Sequence, residues 1–281
     1  LQRCYMDKYC KTSCKLYKAK KSQTMMTATD MEQVMINWLN SDIKPINLGA
    51  LYGEDFPLYP GEVVVLQAPP KCMKTMLVQN WVNSLKRNTY FLEMEMGPRQ
   101  IWQRFIQIEK GWDEEQLKNH YMQSQASISD LYKWLTVDYS PCYPVELERR
   151  IDMLSEKPEI VIVDHMGLML SKHRDLNMKM EEVAGALTEI AIKNNIVVIA
   201  ISEITKQAFG EGMNIASARG SFRIAYNASK LLSINARKDD NGSIQEMMLK
   251  TEANREKENL RVLLRPDGVQ LKRIQGEQNV G

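Results

Sequence analysis

Three kinds of residue in this chain are suited to act together on a phosphate group. They are a lysine beside a hydroxyl, a strand-end aspartate and a strand-end glutamate. Lys74 and Thr75 close the stretch Gly61-Glu-Val-Val-Val-Leu-Gln-Ala-Pro-Pro-Lys-Cys-Met-Lys-Thr75. There the apolar run Val63–Leu66 meets a Pro-containing loop, and a helical pattern opens at the loop's end. Strand, loop and helix in that order turn backbone N–H groups toward phosphate, while the lysine neutralises its charge. The usual pattern is G-x-x-x-x-G-K-[ST]. Both glycine positions are altered here, to Ala68 and Met73. The stretch predicts a nucleotide-binding set of Ala68, Pro69, Pro70, Lys71, Cys72, Met73, Lys74, Thr75 and Met76.

The other two parts follow in order. Ile160-Val-Ile-Val-Asp164 is a hydrophobic strand ending in a carboxylate. Such an aspartate holds Mg²⁺, directly or through water, beside the loop hydroxyl, here Thr75. Tyr90-Phe-Leu-Glu-Met-Glu95 is a second strand with a carboxylate near its end. Ligands in open α/β sheets sit at the carboxyl ends of strands. Glu95 is therefore placed to orient or deprotonate a water attacking a γ-phosphate. Glu93 shares its alternation phase, so periodicity does not separate the two, and either reads equally as a solvated edge residue. An aspartate at a strand end also serves as a turn or helix cap.

The elements that must position these residues are legible as patterns. Val63–Leu66, Tyr90–Met94, Ile160–Val163 and Ile196–Ile201 are continuous apolar runs, as parallel strands buried on both faces require. Helical stretches separate them at 75–86, 99–110, 144–155 and 178–193. This order implies an α/β fold with a mostly parallel central sheet. Shorter strands follow at Leu231–Ile234, Ile244–Leu249, Leu260–Leu264 and Val269–Ile274, joined by turns such as Asn241-Gly242 and Pro266-Asp267-Gly268. Residues 206–221 read as a polar surface loop.

Three regions emerge: a Cys/Lys-rich appendage over 1–25, a linker helix within 26–45, and a large domain over 46–281. Met31, Val34, Met35 and Trp38 form one stripe of the linker helix, with Thr29 or Asp30 as its cap. Cys4, Cys10 and Cys14 lie within eleven residues among six lysines. They are three ligands of a Zn²⁺ site that wants four, or three reduced thiols in a basic tail. His120, His165 and His173 are scattered; His165 adjoins Asp164, where a structural role fits best. Leu1 in place of an initiator Met suits a fragment or a processed form.

The bulk numbers exclude several classes. At 281 residues with 44% apolar and 26% charged residues, the composition is that of a globular protein. A net charge of +2 excludes a polycation, so any nucleic-acid contact needs a local basic surface. No apolar run approaches the roughly 20 residues of a membrane span. Five Cys make no disulfide scaffold of this length, and a cytoplasmic setting is expected.

Taken in order, the motifs resemble the RecA-type ATPase domain of DnaB-type replicative helicases over about residues 46–275. Five segments carry the resemblance: Ala68–Thr75, Glu93-Met-Glu-Met-Gly-Pro-Arg-Gln-Ile101, Val161–Asp164, Val197-Val-Ile-Ala-Ile-Ser-Glu203 and Arg219-Gly-Ser-Phe-Arg-Ile224. The resemblance implies a RecA-like P-loop fold that hydrolyses ATP with Mg²⁺ as a homo-oligomeric, hexameric ring around single-stranded DNA, with a primase or loader as partner. It puts the catalytic Glu on Glu95 and a γ-phosphate sensor on Glu203, where relatives usually have Gln. It assigns cations acting on the neighbouring subunit's γ-phosphate to Arg255 and Lys250. It assigns DNA contacts to the loop 205–223, with Lys206, Arg219 and Arg223 on phosphates and Phe209 and Phe222 stacking on bases. Met73 and Glu203 depart from the family pattern. The first would crowd the β-phosphate, and the second adds negative charge where the γ-phosphate belongs. Two other readings compete: a RecA-like recombination or annealing ATPase, and a degenerate nucleotide-binding subunit of a replication complex.

Overall fold

The computed structural model describes residues 27–40, 44–123, 127–203, 227–254 and 259–274. Cys4, Cys10, Cys14, Lys206, Phe209, Arg219, Phe222, Arg223 and Arg255 lie outside that range. The Zn²⁺ reading therefore has no support among the described residues. The chain divides into two units, residues 1–44 and 45–281.

The first unit contains helix α1 (Ala28–Leu39). Its cap is Thr27, not Thr29 or Asp30. The Asp30 N–H donates to Thr27 Oγ1 at 3.2 Å, and Asp30 Oδ2 accepts the Thr27 N–H at 2.8 Å. This reciprocal pair satisfies donors that a helix start otherwise leaves unpaired. Met31, Val34 and Met35 on α1 are exposed.

The second unit is built on strands β1 (Ile46–Asn47), β2 (Pro57–Leu58) and β3 (Val63–Ala68), helix α2 (Lys74–Leu85) and strand β4 (Thr89–Glu93). Helices α3 (Pro98–Lys110) and α4 (Glu114–Gln123), strand β5 (Leu135–Asp138), helix α5 (Pro144–Asp152) and strand β6 (Ile160–Asp164) follow. Helix α6 (Leu176–Asn194) and strands β7 (Val197–Glu203), β8 (Lys230–Lys238), β9 (Ile244–Asn254), β10 (Arg261–Asp267) and β11 (Gln270–Arg273) complete it. Nine strands form one sheet in the order β11-β10-β9-β8-β3-β7-β6-β4-β5. The six from β8 to β5 run parallel, and β9, β10 and β11 add antiparallel pairs at one edge.

Every residue of β3, β4 and β6 is buried. Alternate side chains serve opposite faces. Val64 and Leu66 join Leu77 and Trp81 of α2 and Phe105 of α3 in one core layer. Val63 and Val65 join Leu147 of α5 and Val183 and Leu187 of α6 in the other. Helices thus cover both faces, and strand carboxyl ends open toward one edge.

Some elements differ from expectation. No residue of α4 is buried, so no apolar period marks it. The edge strand β5 is only four residues long and at most half-buried. Strand β8 runs on to Lys238 because backbone pairing with β9, not side-chain burial, sets its length. Helix α5 stops at Asp152, before the expected 155.

Candidate nucleotide-binding and catalytic site

The carboxyl ends of β3, β7, β6 and β4 lie next to one another, and each delivers one part of the site. Ala68 and Glu203 face each other as the last paired residues of β3 and β7. Glu93 and Asp164 are paired at the ends of β4 and β6.

Lys74 opens helix α2 and is 6% exposed. Its Nζ donates to the carbonyls of Ala68 at 3.4 Å and Pro69 at 3.0 Å. It also meets Glu203 Oε1 at 2.9 Å. The side chain is thus curled over the loop that precedes it, a position from which an ammonium can meet a phosphate held by the helix N-terminus.

The loop solves the loss of glycine by strain. Met73 sits at the helix N-cap with φ 59° and ψ 27°, and Lys71 has φ 60°. Both are left-handed conformations that glycine adopts freely and other residues at a cost. Met73 is partly buried and packs against the core layer that holds Leu77 and Trp81.

The Thr75 hydroxyl donates to Asp164 Oδ2 at 2.5 Å. Asp164 is 1% exposed, and its Oδ1 is buried without a hydrogen-bond partner among the described residues. Burial raises Asp164 from 3.8 to about 6; the Thr75 hydroxyl works against that rise and the charge of Glu95 adds to it. A buried carboxylate with an unused oxygen beside a threonine hydroxyl is a donor set that fits Mg²⁺.

Glu93 and Glu95, indistinguishable by period, have opposite surroundings. Glu95 is exposed, whereas Glu93 is 0% exposed, which corrects its reading as a solvated edge residue. Glu93 Oε1 accepts the backbone N–H groups of Glu95 and Met96, each at 2.8 Å. Burial, then the charge of Asp164, raises Glu93 from 4.5 to about 7. His165 Nδ1 accepts the Gly167 N–H at 3.2 Å, closing a turn, and burial lowers the imidazole below its ordinary value.

The expected residues Ala68, Pro69, Lys74, Thr75, Asp164 and Glu203 therefore come together through direct contacts. Cys72 and Met76 are buried behind the loop, and Pro70 and Lys71 are exposed on it. Lys250 is elsewhere. It lies on β9, two strands from β3, where its Nζ pairs with Glu252 Oε1 at 2.9 Å. Among the described residues no helix is long and apolar enough to cross a membrane.

Comparison with known proteins matches residues 56–212, more than half of the chain, to the family described as DnaB-like helicase C terminal domain. The chain belongs to that family. This DnaB-like chain is 24% identical over 216 residues to the replicative DNA helicase DnaB of Treponema pallidum (strain Nichols). The match takes in 69% of the chain and 47% of the relative, so the chain spans about half the relative's length. Among solved structures, a separately solved ATPase domain superposes with a TM-score of 0.67 at 14% identity, covering 88% of this chain and 98% of that one. A DnaB-like replicative helicase, solved in a study of its interactions with primase, gives 0.67 at 14% identity, covering 88% and 68%. The RadB recombinase gives 0.55 at 15%, covering 82% and 97%. The RecA-like fold of the DnaB-like domain, with its C-terminal antiparallel strands, is thus the one the sequence predicted.

Proposed function

We propose that this DnaB-like domain is the ATP-hydrolysing motor of a replicative helicase, acting on single-stranded DNA as a hexameric ring in the cytoplasm. The observation that carries the reading is the 2.5 Å hydrogen bond from Thr75 to Asp164 beside the buried Lys74. It joins two motifs far apart in sequence into one phosphate-and-cation corner. Lys74 leaves Glu203 and neutralises the β- and γ-phosphates of ATP. Thr75 and Asp164 hold Mg²⁺, which when bound neutralises charge on the phosphate oxygens. Glu95 accepts a proton from the attacking water. Arg255 and Lys250 act on the γ-phosphate bound by a neighbouring subunit. Lys206, Phe209, Arg219, Phe222 and Arg223 contact the DNA. A primase or loader is the expected partner class.

The test is ATP turnover with and without single-stranded DNA, alongside Lys74→Ala. DNA-stimulated turnover that the substitution abolishes is expected; turnover that survives it would sink the reading. One observation favours a second reading. The Lys74–Glu203 contact occupies the cation that ATP needs, as a nucleotide-binding subunit without turnover would tolerate. Nucleotide binding without hydrolysis would favour that alternative. No specific observation favours the recombination or annealing reading.

A further inference from the structure

Glu95 presents a problem of aim. It is exposed, and it lies past the end of β4 in the short link to Gly97 and α3. An exposed side chain on a link has conformational freedom that a water-activating base must lose. The residue two positions earlier removes much of it. Glu93 is fully buried, and its Oε1 takes the N–H of Glu95 itself and that of Met96, both at 2.8 Å. The carboxylate is in turn anchored by the sheet. Glu93 pairs in register with Asp164, and the Met94 N–H donates to the Asp164 carbonyl at 2.9 Å. The backbone of Glu95 is thereby tied to the strand that carries the Thr75–Asp164 corner.

We propose that Glu93 is a positioning residue, whose buried carboxylate clamps the backbone of Glu95 so that the Glu95 side chain is aimed at that corner. The inference rests on the ATPase reading above. A buried glutamate is an unusual choice for the task, because an apolar residue would fill the space without the cost of desolvation. What an apolar residue lacks is an acceptor for two N–H groups.

The experiment compares steady-state ATP turnover, and binding of a non-hydrolysable ATP analogue, for the full chain and for E93M, E93Q, E95Q and E93M/E95Q. Methionine fills the volume without accepting a hydrogen bond, whereas glutamine keeps Oε1. E93M should lower kcat about 10- to 100-fold, the scale of a small misplacement of a catalytic group. KM for ATP and the analogue's Kd should stay within about threefold. E93Q should recover most of the loss, and E93M should add little in the E95Q background, because Glu93 acts through Glu95. E93A makes the same comparison if E93M does not fold. Unchanged turnover in E93M would overturn the proposal. So would a loss that E93Q shares, a matching loss of analogue binding, or an undiminished effect on top of E95Q. A parent chain without turnover would instead overturn the ATPase reading, and this assignment with it.

Discussion

Lys74 Nζ lies 2.9 Å from Glu203 Oε1, across 129 positions of sequence. The lysine is buried and the glutamate about one-third exposed. Glu203 thus stands as an internal anion where a phosphate would sit. The expected negative charge near the γ-phosphate position is real, and its lysine partner explains how the fold tolerates it.

Nucleotide should therefore bind by displacing Glu203 from Lys74. Glu203→Gln keeps an acceptor and removes the competing charge. A charge-assisted hydrogen bond that is partly screened contributes about 1 kcal/mol, so affinity should tighten about fivefold. Titration with a fluorescent ATP analogue measures this. An unchanged Kd would mean that Glu203 swings away at no cost.

Met73 holds a left-handed conformation. Met73→Gly relieves about 1 kcal/mol of backbone strain and gives up partial burial worth about the same. Its melting temperature should stay within about 3 °C of the parent. Met73→Val keeps the strain and adds a branched Cβ, so it should melt about 3–6 °C lower. Thermal unfolding of the two variants decides the matter; equal losses would show that the positive φ is not the constraint.

Glu93 makes stability depend on pH. Its folded value of about 7 exceeds the ordinary 4.5, so the folded state holds the proton longer than the unfolded chain. Stability should fall as pH rises from about 4.5 to 7, with the full penalty present above. Glu93→Gln cannot ionise. Its gain over the parent should be near zero at acidic pH and rise to at most about 3 kcal/mol at pH 8. Urea unfolding at the two pH values tests the sign, and a gain that is larger in acid would contradict it.

Asp164 carries a similar conflict between stability and use. Burial raises it to about 6, so at neutral pH the folded protein holds an ionised carboxylate with one unpaired oxygen. Asp164→Asn should raise the melting temperature at pH 8 in the absence of Mg²⁺ and nucleotide. The same change should cut turnover by roughly 100-fold or more, since the amide is a poor cation ligand. A variant that is both less stable and fully active would overturn both halves of this expectation.

How much of this was legible depended on the kind of signal. The parallel strands could be read because β3, β4 and β6 are buried on both faces, which leaves unbroken apolar runs. The order of Lys74, Thr75, Glu95 and Asp164 on those elements pointed to a phosphate site. Helix α4 and the short edge strand β5 were missed because α4 buries no residue and β5 is only half-buried. The cap at Thr27 was missed because Thr27, Thr29 and Asp30 are all good caps, and only the hydrogen bonds choose among them.

The sequence by itself determined the α/β class, the phosphate-loop motif and the residues able to do the chemistry, because burial and local propensity leave periodic marks on one chain. Tertiary structure alone decided which carboxylate faces which partner. Glu93 and Glu95 have the same strand phase, and it is the pairing of β4 with β6 that buries one and exposes the other. Glu203 is one more strand-end acid until β7 pairs with β3 and sets it against Lys74. Charges interact through distance in space, and a sequence records only distance along the chain.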